Sequence, residues 1–315
     1  MSKKILTIFG ATGNQGGSTL SAVLNNPTLA AKYKIRAITR DPSKPSAQSL
    51  ASRGAELAQA DLNDIESVKK AIAGSHGVFA VTNYWETMDK NAELQQGKNI
   101  VDACKSEAVK HLVWSSLPHA EKLSNGELSK IEHFDSKAGV QEYAEQVKGD
   151  DLIVSYFMPA YFMSNLPTQI KASGEDGVAT LSLPWNAAST WLPMIDIRND
   201  TGLFTVGLFE AGERANGFAV QGTSQWLHPQ ELVDTLSAVS GKPVKFVEQP
   251  LTVEAAAQSG NKIAEELAQN MLLIRDYSYF GKGAENKQDE SDKFLVDGAK
   301  KSSFKQFAEK TQWQF

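Results

Sequence analysis

Residues 4–9 are nearly all apolar and run straight into Gly10-x-x-Gly13-x-x-Gly16. No other feature of the 315-residue chain limits its fold as strongly. A short continuous apolar run reads as a parallel strand buried on both faces. A glycine turn follows, then a helix near 15–26 with Leu20, Val23 and Leu24 on one side. At such a junction the first glycine permits the tight turn and the second lets backbone approach a pyrophosphate. The third lets helix and strand pack closely, and the free N–H groups and dipole of the helix start hold the phosphate charge. The spacing differs from the usual G-x-G-x-x-G, so the strand-turn-helix context carries the reading. A Walker A loop is excluded, because Gly16-Gly17-Ser18-Thr19 has no lysine. A glycine turn that merely joins strand to helix is the plain alternative.

The pattern continues as an alternation. Strands are predicted at 34–39, 55–59, 77–82, 111–115 and 152–156. Helices are predicted at 46–53, from an N-cap at Asp64 through Ile72, at 90–106 and at 131–147. This spacing favours right-handed crossovers and a parallel sheet with helices on both faces. The predicted fold class is α/β: a doubly wound parallel (Rossmann) sheet with a smaller, interleaved C-terminal α/β lobe. The dinucleotide-binding domain spans 1–157 and the substrate- or partner-binding lobe 158–315, with about 190–205 returning to the main sheet. Gly174-Glu-Asp-Gly177 and Pro184-Trp185 mark turns. A helix is expected at 228–239 with Pro229 in its first turn, a strand at 242–248, helices within 253–280, a polar loop at 281–292 and a last helix at 305–312. No internal repeat is visible.

Composition excludes several classes. With 32 basic and 37 acidic residues the formal net charge is −5, which argues against direct nucleic-acid binding. Cys104 is the only cysteine, so neither an intramolecular disulfide nor a thiolate metal cluster can form within one chain. A buried, inert thiol is its default reading. His76, His111, His119 and His228 show no metal-ligand spacing. No G-x-S-x-G elbow supports a hydrolase. Residues 5–9 follow two lysines but are too few for a signal peptide, and no apolar run approaches a membrane span. The expectation is a cytoplasmic protein, with the nucleus left open, acting as a monomer or homodimer away from membranes.

The end of the second strand selects the cofactor. NAD sites place Asp or Glu there; this chain has Thr39-Arg40-Asp41-Pro42-Ser43-Lys44. Arg40 can pair with a 2′-phosphate and Lys44 adds charge, which points to NADP(H). Asp41 reads as a turn residue. Asp61 and Leu62 after the third strand either contact adenine or form the loop that caps the next helix.

Gly10-Ala-Thr-Gly-Asn-Gln-Gly-Gly17, Thr39-Arg40-Asp-Pro42, Val81-Thr-Asn-Tyr-Trp-Glu86, Gln96-Gly-Lys98 and His133-Phe-Asp-Ser-Lys137 together resemble the NmrA-like family of atypical short-chain dehydrogenase/reductases. The nearest likeness is to the branch that includes the animal NmrA-like redox sensors. It extends through Pro159-Ala-Tyr-Phe-Met-Ser-Asn165 and Leu181-Ser-Leu-Pro184. The resemblance implies a protein that binds NADP(H) and reports its level by changing regulatory protein partners. Carried over, Gly10, Thr12, Gly13, Asn14, Gln15 and Gly16 hold the pyrophosphate, and Arg40 and Lys44 the 2′-phosphate. Thr82 and Asn83 lie along ribose and nicotinamide, Lys137 contacts the nicotinamide ribose, and Tyr161, Phe162 and Asn165 flank the nicotinamide. One departure is Gln95, where some relatives carry lysine.

Catalysis stays open at this point. Active short-chain reductases pair Tyr and Lys as Y-x-x-x-K; here the spacing reads His133-x-x-x-Lys137. Residues four apart share a helix face, and Ser115 and Ser116 end the fifth strand. Ser116, His133 and Lys137 are thus a candidate catalytic set, with His133 as proton donor. The plainer reading leaves Lys137 on ribose and His133 on the helix surface. Tyr84-Trp85 either stacks on a ligand or packs over the cleft, and Trp185 and Trp191 form either a lid or core. Two functions follow: a redox-sensing regulator, favoured by the missing tyrosine, and an NADPH-dependent reductase of a small carbonyl, imine or quinone-like substrate.

Overall fold

The computed structural model describes residues 2–172, 177–258 and 260–315. The strands are β1 (Lys4–Ile8), β2 (Tyr33–Thr39), β3 (Glu56–Gln59), β4 (Gly77–Ala80), β5 (His111–Ser115) and β6 (Ile153–Pro159). The helices between them include α1 (Asn14–Leu24), α2 (Lys90–Ser106) and α3 (Glu132–Val147), with shorter ones at Pro45–Ser52 and Ile65–Ile72. The sheet has seven strands, β1 to β6 and one later strand beside β6, in the order β6-β5-β4-β1-β2-β3 from that strand outward, and every pairing is parallel. Ile8 is flanked by Ala37 on one side and Phe79 on the other. The order of strand addition reverses between β1 and β4, and the crevice at such a switch point is where ligands bind. Every residue of β4 and β5 is buried, as a sheet covered on both faces requires. Leu112 and Trp114 pack with Ile100, Cys104 and Val140, while Val113 faces the opposite layer with Leu20 and Phe204. Cys104 is fully buried, and burial pushes its thiol well above the usual range.

The second half builds β7 (Tyr161–Phe162), β8 (Ile170–Lys171), β9 (Ala179–Leu183), β10 (Leu192–Ile195), α4 (Thr201–Ala211), β11 (Ala219–Gly222), β12 (Gln225–Leu227), α5 (Pro229–Ser240), β13 (Val244–Glu248), α6 (Lys262–Leu272) and α7 (Phe304–Lys310). Here the 190–205 expectation needs correction. Leu192–Ile195 pairs with β7 and β12 in a second, three-stranded sheet. What returns to the first lobe is α4, which packs on α1 so closely that a Cβ on Gly202 would stand 2.4 Å from the Ser18 carbonyl oxygen. The seventh main-sheet strand is β11, beside β6. An apolar run announces a strand but not which open edge it joins.

The polar 281–292 stretch also differs from expectation: Ala284–Lys287 and Gln288–Asp292 are short helices. Gln288 donates to the Gln221 carbonyl (3.1 Å) and Ser291 accepts from the Gln221 N–H (2.9 Å), so polar side chains dock the segment on β11. Gly174, Glu175 and Asp176 of the expected turn lie outside the described residues. Among the described residues no helix is long and apolar enough to cross a membrane.

Candidate functional site

The glycine turn is built as the spacing demands. Gly10 has φ +63°, which L side chains avoid. The Gly13 N–H donates to the Gly10 carbonyl at 2.9 Å. A Cβ on Gly16 would fall 2.3 Å from the same oxygen, so Gly16 serves packing and does not line the groove. Gly13 caps α1 without a side chain, leaving first-turn N–H groups for an anion. Asn14 accepts from Arg198 (2.9 Å), a residue the sequence reading did not find. Gln15 accepts from Ser115 at 2.7 Å.

From this turn a groove of 650 Å³ runs along the ends of β1 to β4 and takes in Thr12, Arg40, Lys44, Asp61 and Leu62. Arg40 pairs with Glu86 across its mouth. Asp41 is engaged by the Ser43 N–H and hydroxyl, which hold its carboxyl below the usual range, so it is the expected turn residue. Asp61 accepts from the Asn63 N–H and amide at 2.9 Å while lining the groove. The helix cap is Asp64, which accepts from the Glu66 N–H.

Beyond Thr82 and Asn83 the groove opens into a chamber of 690 Å³. Its walls are mostly apolar: Trp85, Phe134, Phe162, Leu183, Met271 and Tyr279. Trp85 is 43% exposed and, with the exposed Ile263 and Leu267 of α6, forms an apolar rim. Trp185, by contrast, is buried and donates to the Met271 carbonyl (3.1 Å), and Trp191 lies against His228 away from the chamber. Tyr161 and Asn165 line the chamber too. The Tyr161 hydroxyl accepts from the Gln169 amide, and burial holds that phenol above its usual range.

Lys137 and His133 both line the chamber, as their four-residue spacing on α3 predicts. Each is held by a carboxylate that the sequence reading missed. Glu93, 1% exposed on α2, accepts from Thr82 (2.7 Å), Ser136 and Lys137. Glu266 on α6 accepts from the His133 N–H (2.9 Å) and from its Nδ1 (2.6 Å). A carboxylate only accepts, so Nδ1 carries the proton. Desolvation depresses the imidazole below its usual range despite Glu266. In the neutral form that this desolvation favours, with Nδ1–H on Glu266, Nε2 is an acceptor. His133 is no surface residue: it packs against Trp85, Tyr84 and Phe134.

Ser116 does not join them. Its hydroxyl is fully buried and donates to Gln141 at 2.7 Å, on the side of β5 facing α3. Successive strand residues face opposite sides, so Ser115 turns to Gln15 and Ser116 turns away, and neither lines the chamber.

The NmrA-like family profile matches residues 2–312. The NmrA-like family domain-containing oxidoreductase himF of Aspergillus japonicus is 31% identical over 301 residues, covering 90% of this chain and 88% of its own. Its counterpart FrzB of Cladobotryum sp is 32% identical over 258 residues, covering 77% and 75%. Among solved structures, NmrA, a negative transcriptional regulator, in complex with NADP superposes with a TM-score of 0.80 at 20% identity over 98% of this chain and 95% of that one. The Citrobacter sp. triphenylmethane reductase complexed with NADP(H) gives 0.71 at 23% identity, over 97% and 98%. At these identities the structural likeness speaks for the fold, and the sequence matches carry the assignment: the chain belongs to the NmrA-like family.

Proposed function

We propose that the groove takes NADP(H) and that an apolar substrate is reduced in the chamber, making the chain an NADPH-dependent oxidoreductase. The observation that carries this reading is the junction: Gln15, Thr82, Asn83 and Phe162 line both cavities, so a ligand filling the groove ends against the chamber. The glycine cradle fits a pyrophosphate, because its backbone N–H groups are uncapped and a Cβ at Gly16 would close the turn. Arg40 and Lys44 suit a 2′-phosphate. When bound, the reduced nicotinamide supplies a hydride. Lys137, clamped by Glu93, holds a positive charge and protons at the chamber wall, where a developing substrate oxyanion is stabilised. Neutral His133 offers Nε2 as an acceptor that orients a substrate N–H or O–H. The apolar walls exclude water. Names given to the fungal relatives agree with this chemistry.

The test is NADPH consumption across a panel of apolar carbonyls, imines and quinones, with Lys137→Met alongside. Turnover that drops at least a hundredfold in the variant is expected; no turnover with any panel member overturns the reading. A regulatory role draws on a separate observation. Arg40 pairs with Glu86, which lies on the short helix Tyr84–Thr87 that places Trp85 on the rim. A 2′-phosphate that takes Arg40 removes one tie on that helix, and a partner reading its rim would sense the cofactor. That reading expects NADPH binding with protease protection of residues 84–88 altered and no turnover.

A further inference from the structure

The chamber holds two polar atoms that the reductase reading does not use. Asn270, on the last turn of α6, is 6% exposed, lines the chamber, and its Nδ2 is buried without a hydrogen-bond partner among the described residues. Gln169, just before β8, also lines the chamber. Its Nε2 donates to the Tyr161 hydroxyl, and its Oε1 is buried and unpaired among the described residues. Buried polar groups are nearly always paired, and leaving one unpaired is destabilising. A leucine at position 270 would fill the apolar wall without that penalty, and Gln169 needs only its Nε2 to serve Tyr161. The two atoms are opposite in kind, one donor and one acceptor.

We infer that Asn270 and Gln169 are specificity residues that recognise a secondary amide or lactam on a ring-bearing apolar substrate. The substrate carbonyl accepts from Asn270 Nδ2 and its N–H donates to Gln169 Oε1. The aromatic walls supplied by Trp85, Phe134, Phe162 and Tyr279 take the ring system. A site built around buried hydrogen-bonding groups rejects an analogue that lacks them, because those groups are then left unpaired. The inference rests on the chamber being the substrate site of the proposed oxidoreductase.

The experiment measures binding by calorimetry to the NADP-loaded chain, using three probes of similar shape: 2-quinolinone, N-methyl-2-quinolinone and naphthalene. 2-Quinolinone is expected to bind about tenfold or more tighter than either of the others, since the N-methyl probe loses one hydrogen bond to a buried partner and naphthalene loses both. Asn270→Leu should weaken 2-quinolinone about tenfold and leave naphthalene unchanged. Gln169→Leu should erase the preference for the N–H probe over the N-methyl probe. Asn270→Leu should also raise the melting temperature of the ligand-free chain, since it removes an unpaired buried donor. Equal binding of the three probes, no binding of 2-quinolinone up to its solubility limit, or a lowered melting temperature in Asn270→Leu overturns the proposal. A parallel NADP titration separates the two readings. If the cofactor fails to bind while the ligand-free chain still prefers 2-quinolinone, the reductase reading falls and the amide recognition stands.

Discussion

Arg40 and Glu86 are both largely exposed, and an ion pair between exposed side chains is worth about 0–1 kcal/mol. A phosphate that a guanidinium grips by two hydrogen bonds outcompetes such a partner. Arg40→Ser should therefore lower NADPH affinity at least tenfold and leave NADH nearly unchanged, while Glu86→Gln should raise NADPH affinity a few-fold. Parallel fluorescence titrations of both cofactors check this, and a Glu86→Gln chain that binds NADPH more weakly sinks it. The basic residue after β2 was legible because the strand and its end were legible. Glu93 and Glu266 were not, because an acidic residue on an amphipathic helix reads as a solvated face. Only the packing of α2 and α6 on α3 turns them inward to Lys137 and His133. Another consequence of burial concerns His111, whose Nε2 lies 2.7 Å from Ser155 Oγ. Desolvation, aided by His76, depresses its imidazole from 6.5 to about 3. The unfolded chain takes up that proton below pH 6.5 and the folded chain does not, so this contribution is present above 6.5 and is lost as pH falls toward 3. Stability should drop by about 2 kcal/mol from this group between pH 7 and pH 5. Urea unfolding of the native chain and His111→Gln at both pH values tests it: the variant should lose less, and equal losses refute the assignment.

The Glu93–Lys137 contact exists because two helices approach unusually closely. Gly97 lies one turn after Glu93 on α2, and a Cβ there would stand 2.2 Å from Val140 Cγ2 on α3. Gly97→Ala should therefore destabilise by about 1–3 kcal/mol through overpacking, and it should raise KM or lower kcat by separating Lys137 from Glu93. Val140→Ala alone should destabilise through its cavity, yet restore part of the loss in the double variant. A double-mutant cycle without favourable coupling would mean the helices are spaced by something else. Such dependence of a site on one glycine explains what was legible among the elements. Six parallel strands and the helices between them followed from apolar runs alternating with amphipathic ones. The four residues of β11 did not, because Ala219–Gly222 is short and gains its meaning only from the open edge of β6. The helices Ala284–Lys287 and Gln288–Asp292 hid for the opposite reason: their docking is polar, so no apolar stripe announces them.

Groove and chamber together need both lobes in fixed relation, since the groove rests on the main sheet and the far chamber wall is carried by 161–170 and α6. Asp200 sits where the lobes meet. It precedes α4, which packs on α1, and its carboxylate accepts from the Ser224 hydroxyl, the Ser302 N–H (2.9 Å) and the Ser302 hydroxyl (3.0 Å). Ser224 lies between β11 of the main sheet and β12 of the second one, and Ser302 leads into α7, whose Phe304 is buried in the second lobe's core. One buried carboxylate thus ties a main-sheet helix to two segments of the other lobe. Asp200→Ala leaves those donors without their acceptor, at about 3 kcal/mol. The loss should be uneven. The main sheet keeps its seven paired strands and both covering layers, whereas β10 and β12 lose the link that holds them to it. Hydrogen exchange followed peptide by peptide should show amides of β10 and β12 opening at lower free energy than those of β4 and β5, with a smaller difference in the native chain. Asp200→Asn, which keeps an acceptor oxygen, should fall between. Bound NADPH should restore protection around the groove without restoring it in β12, because binding stabilises only states in which the groove is formed. Uniform acceleration across both sheets would mean that the lobes unfold as one unit and that Asp200 is only one core contact among many.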